Sequence, residues 1–198
     1  MKTFSLNGMP RTIAGSSADR KRALKAIRKE GLIPAVLYGG EQVTHFTISI
    51  DSIRKLIYTP EVFLVELNLD GSKTMAVIKD IQFQPVSEEV LHMDFLEIFP
   101  QRPIVMEVPI ALDGYAEGVK AGGKLSLQMR KLKVKAPYSN LPEKLVINID
   151  HLGLGKSLQV ADIHIDGLEL INAPNAVVCA VQLTRAAKGA QAAAAAAK

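Results

Sequence analysis

The sequence is poor in the features that mark secreted and membrane-spanning proteins. Its 198 residues include one cysteine, no tryptophan and only 5% aromatic residues. Because Cys179 has no second cysteine to pair with, an intrachain disulfide is excluded. Uncharged apolar runs in the body of the chain reach only about one strand in length, short of the ~20 residues that a membrane-spanning helix needs. The first residues also lack the apolar stretch of a secretory signal, so we expect a cytoplasmic protein.

The residue arrangements that carry metals or covalent catalysis are also scarce. The four histidines stand far from one another, and no pair has the spacing of a metal site. Cys179 lies in the apolar segment Ala176–Val181, which predicts a core strand rather than a nucleophile. The stretch Gly118–Lys124 lacks phosphate-loop spacing and predicts a flexible turn. We therefore expect no metal, no cofactor and no catalytic residues. The histidines are His45, His92, His151 and His164.

Positive charge is concentrated in one part of the chain. Residues 1–60 hold ten Lys and Arg against four Asp and Glu, whereas residues 61–198 hold fourteen against sixteen. Most of the excess lies between Arg11 and Gly31. Such a cluster is the electrostatic footprint of a polyanion site, although a helix that is merely solvated by its cations gives the same pattern. The cations of this segment are Arg11, Arg20, Lys21, Arg22, Lys25, Arg28 and Lys29.

Two prolines within Phe99–Pro103 divide the chain, because proline removes backbone donors and disfavours helix before it. We predict a domain over residues 1–98, a second over residues 99–184, and a disordered Ala-rich tail over residues 185–198 without an amphipathic face.

Apolar periodicity predicts that the first domain is a small β domain with one or two helices. Ser16–Asp19 predicts a helix start with a capping box, and Gly31 predicts its end. Asp51 predicts the cap of a second helix that runs to Tyr58 and ends at Pro60. The predicted strands are Ala35–Tyr38, Phe46–Ile50, Val62–Leu69, Lys73–Ile81 and Val90–Ile98, with a hairpin turn at Asp70–Ser72.

The second domain is predicted to be all-β, with short strands separated by turn residues, as in a sandwich or barrel. One alternating segment places Lys131, Lys133 and Lys135 on the face opposite Leu132 and Val134. The predicted strands are Ile104–Leu112, Leu125–Lys135, Leu145–Ile149, Leu158–Ile165 and Ala176–Leu183.

His92 and Asp94 form the pair with the most chemical interest. Two residues apart on a strand, they point to the same face, while Leu91, Met93 and Phe95 point to the other. The pair is compatible with acid–base catalysis, half of a metal site, or polar contacts on a binding face. It is equally compatible with an exposed strand face that carries a mutual hydrogen bond.

Several motifs, in order along the chain, resemble the bacterial large-subunit ribosomal protein family that binds 5S rRNA. In the first half these are Lys25–Gly39, Lys79–Gln82 with Pro85, and His92–Phe95. The second half resembles the C-terminal domain of the long form, of the Ctc or general-stress-protein type. Its motifs are Val108–Ile110, Gly114, Gly118-Val119, Gly122-Gly123 and Asn140–Glu143.

The resemblance implies a mainly β protein, with an N-terminal closed six-stranded β-barrel and short helices followed by an all-β C-terminal domain. It implies binding to the loop E region of 5S rRNA from the minor-groove side, and placement of that RNA in the central protuberance of the large subunit. By matching motif, Arg11, Lys21, Arg28 and Lys29 are assigned to phosphates, Tyr38 and Gly39 to the RNA backbone, and Gln82, His92 and Asp94 to ribose and base edges. Arg20, Arg22 and Lys25 are assigned on charge and helix position.

Two other functions stay open from the sequence. One is a stress-induced protein that acts through protein contacts of the second domain. The other is a hydrolase that uses His92 and Asp94. The second domain's contacts, whether neighbouring ribosomal proteins or 23S rRNA, are not determined by the sequence.

Overall fold

A computed structural model describes residues 2–13, 15–59 and 61–184. The predicted tail, residues 185–198, and Pro60 therefore lie outside the described residues. Contacts divide the described chain into two compact units. Unit 1 falls within Met1–Ile104 and Pro137–Ser139, and unit 2 within Val105–Ala136 and Asn140–Lys198.

Unit 1 is built on a closed six-stranded barrel, as expected from the resemblance. The strand order around it is β1-β3-β2-β6-β5-β4, and parallel pairing of β1 with β4 closes the ring. Two helices accompany the barrel. The elements are β1 (Lys2–Pro10), α1 (Ser17–Lys29), β2 (Leu32–Tyr38), β3 (Thr44–Ser49), α2 (Ile50–Tyr58), β4 (Phe63–Leu69), β5 (Ser72–Phe83) and β6 (Val90–Glu97).

Five of the six barrel strands match segments predicted from periodicity, whereas β1 was not predicted from its residues. Only Leu6 in β1 is fully buried, so the strand carries a weak apolar signal, and its position is set by its pairing with β4. The hairpin between β4 and β5 is confirmed. Asp70 and Gly71 have φ values of 47° and 84°, as a tight hairpin turn with two left-handed residues requires.

The barrel interior is the core of unit 1. Alternating side chains of the strands point inward and pack together, with the rings of Phe46 and Phe95 5.6 Å apart between centroids. Met93 is also fully buried, as alternation around the His92–Asp94 pair predicts. Burial of one face leaves the opposite face of the same strands available for binding.

The helices begin close to their predicted positions. Ser16 is the N-cap of α1, but its side chain makes no capping hydrogen bond, so the predicted capping box is wrong. Gly31 follows the helix with φ of 74°, the left-handed conformation that ends helices. The N-cap of α2 is Ser49 rather than Asp51, because Ile50 already has helical geometry. Helix α1 packs against β2.

No helix in the described part of the chain is long and apolar enough to cross a bilayer.

Unit 2 is also mainly β and contains two sheets. One has the order β10-β7-β9-β12 and the other β11-β13-β8. The elements are β7 (Ile104–Asp113), α3 (Glu117–Lys120), β8 (Lys124–Leu127), β9 (Lys131–Ala136), β10 (Leu145–Asn148), β11 (Ser157–Gln159), β12 (Glu169–Leu170) and β13 (Val177–Gln182), with short 3-10 helices at Tyr138–Asn140 and Val160–Asp162.

Three expectations for the second half need correction. The segment Leu125–Lys135 is not one strand, because the chain leaves the sheet after Leu127 and enters a different sheet at Lys131. The predicted strand Leu158–Ile165 changes to a 3-10 helix at Val160. Within Gly118–Lys124, the predicted turn begins as the helix α3, and a Cβ on Gly118 would lie 2.6 Å from backbone atoms of Gly153 and Leu154. Close backbone packing therefore explains that glycine.

Candidate nucleic-acid interface

Four neighbouring barrel strands carry polar side chains on their outer surface. Register places Val36 of β2 between His45 of β3 and Asp94 of β6, and Asp94 lies opposite Asp80 of β5. One step along, Gln82 is paired with His92. We call this surface the strand face. It consists of Val36, Tyr38, His45, Asp80, Gln82, His92 and Asp94.

The predicted His92–Asp94 pair lies at the centre of the strand face. His92 Nδ1 and Asp94 Oδ1 are 2.7 Å apart, with side chains that are 25% and 29% exposed. Both are thus held by the sheet and by each other, yet remain reachable by a partner. Among the described residues, no group of three or more His, Cys, Asp and Glu is placed to hold a metal ion. The pair presents an ordered set of polar atoms at a rigid surface.

Cations gather at one end of this face. The backbone N–H of Arg11 donates to the His45 carbonyl at 2.8 Å, which fixes the chain after β1 beside β3. Burial, with a smaller contribution from the charge of Arg28, holds the pKa of Arg11 below its usual value, but a guanidinium stays charged. Burial and then the charges of Arg11 and His92 lower the pKa of His45. The same end of the face therefore favours a neutral His45 beside two arginines.

Acceptors and a phenol occupy the other part of the face. Burial raises the pKa of Tyr38, and the carboxylates of Asp94 and Asp80 raise it further. The phenol therefore keeps its proton and offers an O–H donor near two carboxylates. This local negative charge disfavours a phosphate here and favours groups that donate hydrogen bonds.

Arg28 attaches helix α1 to the strand face. Its Nε and Nη2 both donate to the Leu91 carbonyl, at 3.2 and 2.9 Å, immediately before His92 in the chain. Two of its donors are therefore used to hold α1 on β6, and the remaining N–H groups stay available. The sequence assigned Arg28 to a phosphate alone, and the structure adds this positioning contact.

The other predicted helix cations are exposed and divide between the sides of α1. Lys21 and Lys25 precede Arg28 by seven and three residues, so they lie on the side of the helix that faces β6. Arg20 lies on the side nearer Arg11 and donates from Nη2 to the Gly15 carbonyl at 3.0 Å. Among these helix cations, four form no ion pair with any described residue: Lys21, Arg22, Lys25 and Lys29.

Gly39 has a packing role that the sequence did not indicate. Its φ is 102°, and a Cβ there would lie 2.7 Å from Leu96 Cδ1. Its carbonyl accepts a hydrogen bond from Nη1 of Arg102 at 3.3 Å, while the Arg102 guanidinium lies 5.2 Å from the Phe99 ring centroid. The glycine thus lets the chain turn closely past β6 beside Tyr38.

Sequence reasoning missed three charged or titratable residues that the fold brings to this surface: His45, Asp80 and Arg102. His45 alternates with buried Phe46 and could have been found from that pattern. Asp80 was hidden because a bulge between Ile78 and Asp80 shifts the register of β5. Arg102 has no local signal beyond its charge, since its contact with Gly39 joins residues far apart in the chain.

Known proteins match both halves of the chain. Residues 6–95 match the Ribosomal L25p family, and residues 103–185 match the family described as ribosomal protein TL5, C-terminal domain. The large ribosomal subunit protein bL25 of Parabacteroides distasonis is 69% identical over 192 residues, covering 97% of this chain and 99% of that protein. The bL25 proteins of Bacteroides fragilis and Porphyromonas gingivalis are 58% identical over 194 residues and 59% over 192 residues, covering 98% and 96% of this chain and 99% and 97% of those proteins. The chain therefore belongs to the bL25 family of large ribosomal subunit proteins, in its long form, as a non-enzymatic structural component that acts with ribosomes in the cytoplasm.

Proposed function

We propose that this protein binds 5S rRNA through the strand face and the cations of α1. The proposal places the contact at the loop E region, from the minor-groove side, and gives the protein the task of seating 5S rRNA in the central protuberance. It assigns RNA binding to residues 1–98 and treats residues 99–184 as the C-terminal β domain of the long form. The observation that carries it is the ordered His92–Asp94 pair beside clustered cations.

The chemistry of the strand face suits the minor groove of an RNA helix. That groove is wide and shallow, and it presents ribose 2′-hydroxyls and base edges that include the guanine amino group. Carboxylates accept hydrogen bonds from such donors but are repelled by phosphate. Asp94 and Asp80 are therefore useful only toward base and ribose donors, while Gln82 offers both a donor and an acceptor. His92 Nδ1 lies 2.7 Å from Asp94 Oδ1, so the other ring nitrogen of His92 points away from that contact.

The cations supply the second part of the interaction. Lys21 and Lys25 lie on the side of α1 that faces β6, so they flank the strand face where the RNA backbone would run. Phosphate contacts of this kind position an RNA without reading its sequence, whereas the strand face reads edges. A hydrolase that uses His92 and Asp94 does not fit a family of structural ribosomal proteins.

Binding of the full chain to 5S rRNA tests the proposal, with RNase footprinting and filter binding as measurements. We expect protection centred on loop E. The double variant His92→Ala, Asp94→Asn should bind roughly tenfold more weakly, since one well-placed set of edge contacts is worth ~1–3 kcal/mol.

Unit 2 provides a matched control for this variant. His164 and Asp166 have the same spacing and are exposed. The double variant His164→Ala, Asp166→Asn should bind 5S rRNA like the unmodified protein. Protection away from loop E, or equal losses in the two double variants, would contradict the proposal.

A further inference from the structure

A cleft in unit 1 lies beside the strand face, between α1 and the segment that follows β1. Its volume is about 260 Å³. The wall is mainly apolar, with an arginine from each of the two sides. The lining residues are Arg11, Thr12, Ile13, Arg20, Ala23, Leu24 and Ile27.

The apolar side of α1 is only partly covered within the described chain. A surface helix of this length normally buries an apolar stripe against the core. In α1, however, no residue is buried, Leu24 and Ile27 are only half-buried, and Ala23 is exposed. Ile13, on the opposite wall of the cleft, is 44% exposed. Apolar surface is therefore presented to solvent inside the most cationic part of the molecule.

Arg11 links this cleft to the strand face. It lines the cleft, and its backbone N–H bonds to the carbonyl of His45 on the strand face. Its side-chain Nε is closed off from solvent and has no hydrogen-bond partner among the described residues. A buried donor without an acceptor is destabilising, so the site favours a partner that brings an acceptor.

We propose that the cleft receives one unstacked nucleobase of the bound RNA. A base is the flat, weakly polar part of an otherwise anionic polymer, and it brings ring nitrogens and carbonyl oxygens as acceptors for Arg11. Bases that are turned out of a helix stack on apolar side chains and on guanidinium planes. Arg20 and Lys21 provide the positive charge that the attached phosphates need. The inference rests on the proposed binding of 5S rRNA.

Filling the cleft tests the inference with a matched pair of variants in the full chain. Ala23 lines the cleft, whereas Ala26 is exposed on the same helix and does not line it. We expect Ala23→Leu to bind 5S rRNA roughly tenfold more weakly, as loss of one stacked base predicts, and Ala26→Leu to bind within twofold of the unmodified protein. Because both changes keep the charge and the helix propensity nearly constant, thermal unfolding should be similar for the two variants.

A second readout follows the base directly. 5S rRNA that carries 2-aminopurine in place of single loop E adenines should change fluorescence at one position when the unmodified protein binds, and not with Ala23→Leu. Ile13→Ser, which removes an apolar wall at an exposed position, should weaken binding in the same direction.

If Ala23→Leu and Ala26→Leu bind 5S rRNA with the same affinity, whether or not that affinity is reduced, the inference is overturned. If the unmodified protein binds loop E and the His92, Asp94 variant is weakened while Ala23→Leu is not, only the base cleft fails. If the unmodified protein does not bind 5S rRNA, the proposed function fails as well.

Discussion

The two units use similar rows of lysine in opposite ways. In unit 1, Lys21, Lys25 and Lys29 form a stripe along α1 and make no ion pair with a described residue. In unit 2, two of the three lysines of β9 lie beside carboxylates of the neighbouring strands. Lys135 Nζ is 2.8 Å from Glu169 Oε2, and Lys133 Nζ is 3.9 Å from Glu107 Oε1.

This difference shows why a row of basic residues in a sequence does not by itself identify an RNA-binding surface. The carboxylates beside Lys133 and Lys135 come from β7 and β12. Each of these strands is separated from β9 in the sequence but lies next to β9 in the sheet. Exposed pairs of this kind add little stability, but they reduce the local positive charge. Lysines along a helix that have no carboxylate beside them repel one another, and a bound anion would relieve that repulsion. We therefore expect RNA binding to depend on unit 1 alone. Two comparisons test that expectation, and a third compares how the two units respond to acid.

The largest effect is expected from core truncation in each unit. Phe46→Ala should destabilise unit 1 by ~3–5 kcal/mol, and Leu132→Ala should destabilise unit 2 by ~2–5 kcal/mol, because both side chains are fully buried. Only the first should abolish binding to 5S rRNA. Amide hydrogen exchange read by mass spectrometry assigns each loss of protection to one unit. Loss of RNA binding in Leu132→Ala with unit 1 still protected would break the comparison.

An intermediate effect is expected from charge removal. Lys21, Lys25 and Lys29 changed together to Gln should weaken 5S rRNA binding by about 10- to 100-fold and make it less sensitive to salt, since fewer counterions are released. The matched triple change of Lys131, Lys133 and Lys135 to Gln should alter affinity less than about threefold. Binding measured over a range of salt concentrations gives both quantities. A larger loss of affinity for 5S rRNA in the β9 triple variant than in the α1 triple variant would show that the lysines of unit 2, rather than those of unit 1, bind the RNA.

The smallest effect is expected on the stability of each unit as the pH is lowered. The folded state holds the pKa of His45 below its ordinary value, so the unfolded chain takes up that proton first as the pH falls. Unit 1 should therefore lose stability as the pH falls below the ordinary pKa of histidine, ~6.5. In unit 2 the Asp150 carboxyl accepts the Tyr115 N–H at 2.7 Å, and this bond lowers its pKa. Its contribution is complete above the ordinary pKa of an aspartate and is lost as the pH falls through the lowered pKa.

Hydrogen exchange at pH 7.5 and 5.5 compares the two units directly. His45→Gln should flatten the response of unit 1, whereas His164→Gln should leave it unchanged. An acid response of unit 1 that is the same in both variants would show that His45 is not its source.

Periodicity recovered most of the fold. Apolar patterns located β2 through β6 because each contributes buried side chains to the barrel core, and they located β7, β10 and β13 because each contributes buried side chains to unit 2. They failed at β1, whose apolar content is low, and at the break between β8 and β9. There the alternation continues through a segment that leaves one sheet and enters another. Local patterns do not record which strand a segment pairs with.

The candidate site was recovered only in part. Spacing alone placed His92 and Asp94 on one face, and in the structure their nearest nitrogen and oxygen atoms lie 2.7 Å apart. It did not reveal the contact between Arg28 and Leu91, the packing that requires Gly39, or the arrival of Arg102 beside it. Each of these joins residues about sixty positions apart. The stress-induced role, acting through protein contacts of the second domain, stays an alternative prediction.

Residue order alone sets which residues carry charge and which strands have a buried face. It also places Cys179 in the core, where burial raises its pKa. These properties follow from the order of neighbouring side chains. Folding in three dimensions sets which cations have no carboxylate beside them and which lie next to one. It also decides that Arg11, His45, His92 and Asp94 share one surface with an apolar cleft at its edge. The reason is physical: electrostatic and packing interactions depend on distance in space, and barrel closure sets those distances between segments remote in the chain.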